Sequence, residues 1–165
     1  MNETYTLVLA KEDFKFSSAH FTLFARDVAE LLHGHNYQVR LEIVGCRLDE
    51  YGLIVDFAEI KGAIRELCAR LDSRTLIPAH SPFLEIEESG GQVHVGFQDR
   101  RYSFPAADVE MLPLVNTSIE LLARYIWERF APELERHDVV ELGVEVSETA
   151  GQGCWFRASL PERES

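Results

Sequence analysis

The sequence predicts an α+β fold in which one antiparallel sheet carries two helices on one face. Apolar and polar residues alternate between positions 35 and 45, which is typical of a half-buried strand. Apolar residues then recur at helical spacing over 57–71 and again over 119–134. Because strand patterns open and close the chain and the helices lie between them, we expect the helices to pack on a single sheet.

The first part of the chain predicts two strands. We expect one strand over residues 5–20, a loop with a short helical turn at 24–32, and a second strand over 35–45. In the second strand the polar residues Asn36, Gln38, Arg40 and Glu42 alternate with the apolar residues Tyr37, Val39, Leu41 and Ile43. This alternation indicates a sheet with one solvated face.

Two amphipathic helices are predicted next. Asp56 stands at the N-cap position of the first helix, with Glu59 three residues later as in a capping box. The second helix begins at Thr117, with Glu120 at the corresponding position. The apolar positions are Phe57, Ile60, Ile64, Leu67, Cys68 and Leu71 in the first helix, and Ile119, Leu122, Ile126, Phe130 and Leu134 in the second.

The remaining strands complete a four-stranded antiparallel sheet. Residues 83–104 predict an inserted hairpin, because strand-like runs surround a Ser89-Gly90-Gly91 turn. Strands over 138–147 and 153–160 close the sheet around a turn from Ala150 to Gly153. Since the sequence contains no repeats or linkers, we expect residues 1–165 to form a single domain.

Composition and charge exclude several functional classes. The formal net charge of −12 argues against long contact with nucleic acid, which is driven by Lys and Arg neutralising phosphates. No stretch approaches the roughly eighteen apolar residues of a membrane span, and the N-terminus predicts a strand rather than a signal peptide. Cys46, Cys68 and Cys154 are odd in number and far apart, which favours a reducing compartment, so we expect the cytoplasm.

His20, His33 and His35 form the most informative motif. Residues i and i+2 of a strand face the same way, so His33 and His35 can present two nitrogens to one ion. His20 reaches the same face if the two strands pair antiparallel. Three imidazoles leave the fourth position of a tetrahedral zinc ion open, whereas structural sites are usually closed by cysteines. Although a single histidine is more often an ordinary core or surface residue, this spacing predicts a catalytic Zn²⁺ site.

Several motifs together resemble the 6-pyruvoyltetrahydropterin synthase and 6-carboxytetrahydropterin synthase family. In order along the chain they are FKFSSAH, LHGHNYQVRLEIVG, GLIVDFAEIK, RLDSRTL, NTSIELLARYIW and VSET. The resemblance implies a T-fold domain that assembles as a hexamer of two trimers, with pterin pockets between subunits. It also implies that zinc is held by His20, His33 and His35.

The same resemblance implies contacts with a pterin substrate. Glu148 matches a glutamate that grips the guanidine-like edge of the pterin ring, as expected for a carboxylate that accepts from two N–H donors. Thr117 and Ser118 match polar residues that line the pocket. The alternatives are that Glu148 is a surface carboxylate, that Thr117 is a helix N-cap, and that Glu120 serves only as a helix cap.

The sequence departs from the usual family pattern at two proton-handling positions. Ala29 stands where a cysteine lies four residues before His33, and Ser73 stands where a histidine follows Asp72. Glu30 matches a variant branch in which a glutamate replaces the cysteine and 6-hydroxymethyl-dihydropterin is made for folate synthesis. We therefore expect Glu30 and Asp72 to be the catalytic residues. A free carboxyl group, with a pKa near 4.3, is a weak base unless burial raises its pKa. The alternative is that Glu30 is a solvated surface residue with no catalytic role.

The expected function is that of a zinc-dependent lyase acting on 7,8-dihydroneopterin triphosphate or a related dihydropterin. His80 and Cys154 are conceivable substitutes for the missing groups. One alternative is a homologue that binds zinc and pterin without synthase activity, and another is a metal that only braces the fold. The zinc ion would attract an anionic substrate, helped by the arginines Arg26, Arg40, Arg74, Arg100 and Arg101 unless these serve only solubility.

Overall fold

A computed structural model describes residues 3–135 and 137–160. Its helices are α1 (Phe57–Leu71) and α2 (Ile119–Phe130), and short 3₁₀ turns cover Ala106–Asp108 and Ala131–Leu134. The strands are β1 (Tyr5–Leu9), β2 (Lys15–His20), β3 (Leu23–Ala25), β4 (Val28–Ala29), β5 (His33–Gly45), β6 (Arg74–Pro78), β7 (Glu85–Ser89), β8 (Gln92–Phe97), β9 (Arg100–Pro105), β10 (Val109–Leu112), β11 (Val139–Thr149) and β12 (Gln152–Ser159).

The long strand β5 organises the main sheet. One of its edges pairs with β2 and then β1, and its other edge pairs with β11, which in turn pairs with β12. All of these pairings are antiparallel, so the predicted four-stranded antiparallel sheet forms the centre of the structure. The predicted first strand is interrupted between β1 and β2, where the Gln38 side-chain amide donates to the carbonyls of Lys11 and Phe14 at 2.8 and 3.0 Å.

The sheet is larger than the sequence predicted. β6 joins β2 in parallel, and β10 joins β6 in parallel, which brings the sheet to seven strands. These two strands contain only 5 and 4 residues, too few to show a clear alternation. Parallel partners far apart in the chain also leave no turn signal between them.

The helical turn expected at 24–32 is wrong. This segment is the hairpin β3–β4, in which Leu23 pairs with Ala29. Leu23 and Ala29 pack into a second apolar cluster, which also contains Phe21, Ile77 and Phe97, whereas Phe24 and Val28 are exposed. A segment this short also gains little from helix formation by itself. Tertiary contacts therefore decide its conformation.

The insertion between the helices contains one strand more than a hairpin. β7, β8 and β9 form a separate antiparallel sheet, and Gly90 and Gly91 make the predicted turn with φ values of 58° and 76°. The second apolar cluster lies beneath this sheet and joins it to hairpin β3–β4 and to β6 and β10. Its buried members are Phe21, Leu23, Ile77, Val93, Val95, Phe97 and Val109.

Both helices contribute to the main core, as the α+β prediction requires. β5 and β11 direct alternate side chains toward them, and the indole N–H of Trp127 donates to the Leu142 carbonyl at 2.8 Å. The fully buried residues in this core include Val39, Leu41, Ile43, Ile64, Leu122, Ile126, Leu142, Val144 and Val146. Each such side chain stabilises the fold by roughly 1.5–3 kcal/mol. Within the described residues, neither helix is long and apolar enough to cross a membrane.

The predicted cap of α1 is confirmed. The Asp56 carboxylate accepts from the Ala58 N–H at 2.7 Å. We expect Asp56→Ala to lower the free energy of unfolding by about 1 kcal/mol, because a first-turn N–H loses its partner. Asp56→Asn, which keeps an acceptor oxygen, should cost much less. Urea denaturation measures both, and equal stability of the alanine variant and the wild type would contradict the role of the cap.

Candidate metal centre

Strand pairing brings the three predicted imidazoles together. β2 and β5 pair antiparallel with His20 directly opposite His33, and His35 lies two residues further along β5 on the same face. One ring nitrogen from each histidine lies within 4.8 Å of the others. The antiparallel pairing that the metal hypothesis required is therefore present.

Backbone carbonyls orient two of the rings. His20 donates from Nδ1 to the Thr117 carbonyl at 3.0 Å, and His33 donates from Nδ1 to the Leu31 carbonyl at 2.7 Å. Both rings thus turn Nε2 toward the centre of the group, where Nε2 of His33 lies 2.8 Å from Nε2 of His35. Such outer contacts fix the tautomer and the orientation of metal-binding histidines.

The environment of His20 fits a cation. Its Nε2 atom is buried and has no hydrogen-bond partner among the described residues. A buried polar atom of this kind costs about 1–3 kcal/mol unless something binds it. Burial lowers the pKa of His20, and the neighbouring imidazoles add to this effect, although the Thr117 carbonyl opposes it. His20 is therefore neutral at pH 7, in the form that binds metals.

Glu148 lies on one side of the imidazoles. Its Oε1 atom is 3.9 Å from His20 Nε2 and 4.0 Å from His35 Nε2, while its Oε2 atom accepts from the Gln152 side-chain amide at 3.4 Å. Only 13% of the Glu148 side chain is exposed. Since Glu148 is near the end of β11, the sheet register fixes its place beside the histidines.

Glu30 lies on another side of the group. Its Oε2 atom is 4.0 Å from His33 Nε2 and accepts from the Thr22 N–H at 2.9 Å, and its own N–H donates to the Thr22 carbonyl at 3.0 Å. Burial raises the pKa of Glu30, but the N–H and hydroxyl of Thr22 and the imidazoles more than offset this, so the pKa is lowered. The raised pKa that would make Glu30 a stronger base is absent. Glu30 is an ionised carboxylate, able to accept a proton.

Tyr37 forms part of the floor of the site. Its ring is fully buried, stacks on Phe16 with centroids 4.8 Å apart, and lies 5.8 and 5.6 Å from the rings of His20 and His35. Burial and the nearby carboxylates raise the pKa of Tyr37, which keeps the phenol protonated. The alternation in the sequence predicts Tyr37 in the strand and, through the parity that it shares with His33 and His35, could also have indicated its closeness to the site.

Thr117 supports His20 from behind. The Thr117 hydroxyl donates to the Phe21 carbonyl at 3.1 Å, and the side chain is fully buried. The N-cap of α2 is Ser118, so the alternative in which Thr117 caps the helix is wrong. Asn116 was missed: its side chain bonds both the N–H and the carbonyl of Leu23, at 3.0 and 2.8 Å. Contacts across about ninety positions leave no local signal in the sequence.

Asp72 lies away from this group within one chain. Its carboxylate accepts from the Ser17 N–H at 2.7 Å and from the Ser73 hydroxyl at 3.1 Å. Ser17 alternates with Ser18 and His20 along β2, so its side chain faces the opposite side of the sheet. The structure thus joins Glu30 and Glu148 to the histidines but leaves Asp72 at the edge of β2.

Neither His80 nor Cys154, the proposed substitutes for the missing groups, belongs to the group of three imidazoles. Ala29, at the position of the family's cysteine, packs against the second apolar cluster. His80 is exposed, and its N–H donates to the Leu114 carbonyl at 2.9 Å. Burial, together with the nearby Glu120 carboxylate, raises the pKa of the Cys154 thiol. Cys154 is therefore protonated at neutral pH and a poor nucleophile.

Three of the arginines considered for an anionic substrate are engaged elsewhere. Arg40 pairs with Glu145 at 3.2 Å, and Arg101 lies 3.9 Å from Glu85. Arg100 donates from Nη1 and Nη2 to the carbonyls of Glu30 and Ala29. Positive charge from these side chains is thus largely committed to internal contacts.

The sequence matches a known protein family over most of its length. Residues 9–159 match the model of a family described as 6-pyruvoyl tetrahydropterin synthase. A protein of Methanocaldococcus jannaschii, provisionally named 6-carboxy-5,6,7,8-tetrahydropterin synthase, is 30% identical over 149 residues, covering 88% of this chain and 91% of that protein. The Bacillus subtilis 6-carboxy-5,6,7,8-tetrahydropterin synthase is 32% identical over 108 residues, which are 64% of this chain and 60% of that protein.

Solved structures show the same relationship at the level of the fold. The 6-pyruvoyl tetrahydropterin synthase of Plasmodium vivax superposes with a TM-score of 0.90 and 30% identity, over 95% of this chain and 99% of that one. It has also been solved as variants in which a catalytic glutamate is replaced by alanine or by cysteine. The predicted T-fold is confirmed. Because sequence and fold agree over nearly the whole length, this chain belongs to the 6-pyruvoyl tetrahydropterin synthase family.

Proposed function

We propose that this protein is a zinc-dependent lyase of pterin metabolism that acts on 7,8-dihydroneopterin triphosphate or a related dihydropterin. The observation that carries the proposal is the clustering of three imidazoles between two carboxylates, Glu30 and Glu148. Relatives named 6-pyruvoyl and 6-carboxy tetrahydropterin synthases support the substrate class. A single domain in the cytoplasm is part of the same proposal.

His20, His33 and His35 are the proposed zinc ligands. Neutral imidazole nitrogens suit Zn²⁺, and the buried, unpartnered Nε2 of His20 fits such an ion. When bound, the ion would supply Lewis-acid chemistry by polarising the side-chain hydroxyls of the substrate. The protein's own contribution is to hold the rings through the carbonyls of Thr117 and Leu31.

Glu30 is the proposed general base. Its carboxylate is ionised, is fixed by the Thr22 N–H and faces the imidazole group, so it can take a proton from a substrate held there. The catalytic glutamate of the P. vivax enzyme supports this role. A glutamate base is also the feature of the branch that makes 6-hydroxymethyl-dihydropterin, so that product is the alternative to a pyruvoyl or carboxy product.

Glu148 is the proposed anchor for the pterin ring. A carboxylate can accept from two N–H donors on the guanidine-like edge of the ring. Only one Glu148 oxygen, Oε2, accepts from the Gln152 amide, and that contact is long, at 3.4 Å. Ser118, half-buried at the start of α2, remains a candidate pocket residue. Thr117 is better explained as the support of His20, because its side chain is buried and its hydroxyl is engaged.

A substitution of Glu148 tests this anchor. Glu148→Gln should weaken binding of a reduced pterin by roughly 2 kcal/mol, or about thirtyfold in Kd, because the new amide N–H₂ opposes the ring's own donors. Calorimetry with a reduced-pterin analogue measures the effect. Glu145→Gln is the matched control, since Glu145 is in the same strand but pairs with Arg40. Equal affinity of the two variants would show that Glu148 is not the anchor.

Asp72 and the oligomeric state are linked in this proposal. Within one chain Asp72 lies at the edge of β2, so any part it takes in proton transfer requires the pocket of a neighbouring chain. A homohexamer of two trimers with pockets between subunits would provide such a neighbour. Sedimentation velocity tests the assembly, and a monomeric chain that still turns over substrate would exclude Asp72 from catalysis.

A binding protein without synthase activity is the second candidate function. The replacement of the family's cysteine by Ala29 and of its histidine by Ser73 favours it. Mass spectrometry of the products formed from 7,8-dihydroneopterin triphosphate and zinc-loaded protein separates the two. A new pterin product supports the enzyme and identifies the reaction. Recovery of unchanged substrate, with pterin binding intact, supports the binding protein.

A further inference from the structure

The inserted sheet β7–β9 touches the segment that carries Glu30. Arg100, the first residue of β9, donates from Nη1 to the Glu30 carbonyl at 2.6 Å and from Nη2 to the Ala29 carbonyl at 3.3 Å. The side-chain amide of Gln98 donates to the Arg26 carbonyl at 3.2 Å. Three hydrogen bonds thus join the tip of the β8–β9 hairpin to residues 26–30.

The tip of the β8–β9 hairpin restricts the position of Arg100. Phe97 pairs with Arg100 across a two-residue turn in which Gln98 has a φ of 54°. Arg101 donates to the carbonyls of Gln98 and Arg100 at 2.6 and 2.8 Å. The Arg100 guanidinium also lies 5.8 Å from the ring of Phe97, which is buried in the second apolar cluster. A guanidinium held in this way can fix the backbone that it contacts.

The contacted backbone determines where the Glu30 side chain points. Two hydrogen bonds join Glu30 to Thr22: the Thr22 N–H donates to the Glu30 carboxylate, and the Glu30 N–H donates to the Thr22 carbonyl. In this arrangement the carboxylate lies 4.0 Å from His33 Nε2. Arg100 reaches the carbonyls and not the carboxylate, so the carboxylate stays free to accept a proton. The hairpin that carries Glu30 is otherwise short, with β4 only 2 residues long.

We propose that Arg100 is a positioning residue for Glu30, and that the inserted sheet is the frame that holds it in place. The inference rests on the proposed function only in that Glu30 acts on a substrate. This gives a role to residues 83–104, for which the sequence predicts a structure but no function. Loss of Arg100 frees the Ala29–Glu30 backbone, so the carboxylate spends less time facing His33.

The experiment compares Arg100→Met with Arg157→Met in the full-length, zinc-loaded protein. Arg157 is the matched control, because it also donates two guanidinium hydrogen bonds, but to Glu42 on the other face of the sheet. Hydrogen exchange of fragments covering residues 21–32 should be about tenfold faster in Arg100→Met and unchanged in Arg157→Met. The kcat of Arg100→Met should fall about 10- to 100-fold with KM and zinc content nearly constant. Arg100→Lys should recover part of both effects, because a lysine can reach one carbonyl.

A double variant shows whether Arg100 acts through Glu30. In a Glu30→Ala background, Arg100→Met should lower kcat no further, since the group it positions is gone. Equal exchange rates and kcat in Arg100→Met and Arg157→Met would overturn the proposal, as would a full additional loss in the double variant. If the wild type has no turnover, the proposed function fails, and the exchange measurement alone decides whether Arg100 holds the Glu30 segment.

Discussion

Glu30→Ala is expected to lower turnover of the dihydropterin substrate by about 10²–10⁴-fold, the usual contribution of a general base. The base acts on the transition state, so zinc content and pterin affinity should stay close to those of the wild type. Steady-state kinetics with 7,8-dihydroneopterin triphosphate, combined with metal analysis and calorimetry, tests all three quantities. The position of the carboxylate, fixed by Thr22 beside His33, is the basis of the prediction.

Glu30→Gln separates proton transfer from structure. Its amide oxygen can still accept from the Thr22 N–H, so the loop keeps its closing contact, but the amide cannot accept a proton at neutral pH. We expect it to be nearly as slow as the alanine variant. If Glu30→Ala and the wild type turn over equally fast, another group handles the proton. Asp72 and His80 from a neighbouring chain are then the next candidates.

The double variant His33→Ala/His35→Ala is expected to lose nearly all bound zinc, from one ion per chain in the wild type. Two of three ligands are removed, and the remaining imidazole of His20 cannot hold the ion alone. Inductively coupled plasma mass spectrometry of dialysed protein measures the number of zinc ions per chain. His80→Ala/His94→Ala is the matched control, since both histidines lie outside the group of three. Stoichiometric zinc in the His33/His35 variant would contradict the assignment.

Acid should remove zinc from the wild type as well. An imidazole binds zinc only when it is neutral, so occupancy should fall as the pH drops below about 6. Burial lowers the pKa of His20, so protons compete for this ligand only at still lower pH. Zinc retained in full near pH 4 would indicate a different set of ligands.

The sequence by itself determined the features that depend on neighbouring residues. The alternation around Tyr37 and the helical spacing after Asp56 record which face of each element is buried, so the central strands and α1 were predicted closely. The spacing of His33 and His35 places two nitrogens on one face whatever the rest of the chain does. The motif VSET, at the end of a predicted strand, marks Glu148 as a candidate pterin contact, and Glu148 lies beside the imidazoles.

Only the tertiary structure decided the features that depend on distant contacts. β6 and β10 are short and become strands by joining the edge of a sheet built from other segments, and the hairpin β3–β4 packs on a cluster to which the inserted sheet contributes. The sequence predicts Asp72 and Glu30 as the catalytic residues, and within one chain Asp72 bonds to Ser17 at the edge of β2. The support of His20 by Thr117 and of Glu30 by Arg100 joins residues far apart in the chain. Local periodicity reports burial, but it contains no record of which distant backbone groups meet, and those pairings set the geometry of this site.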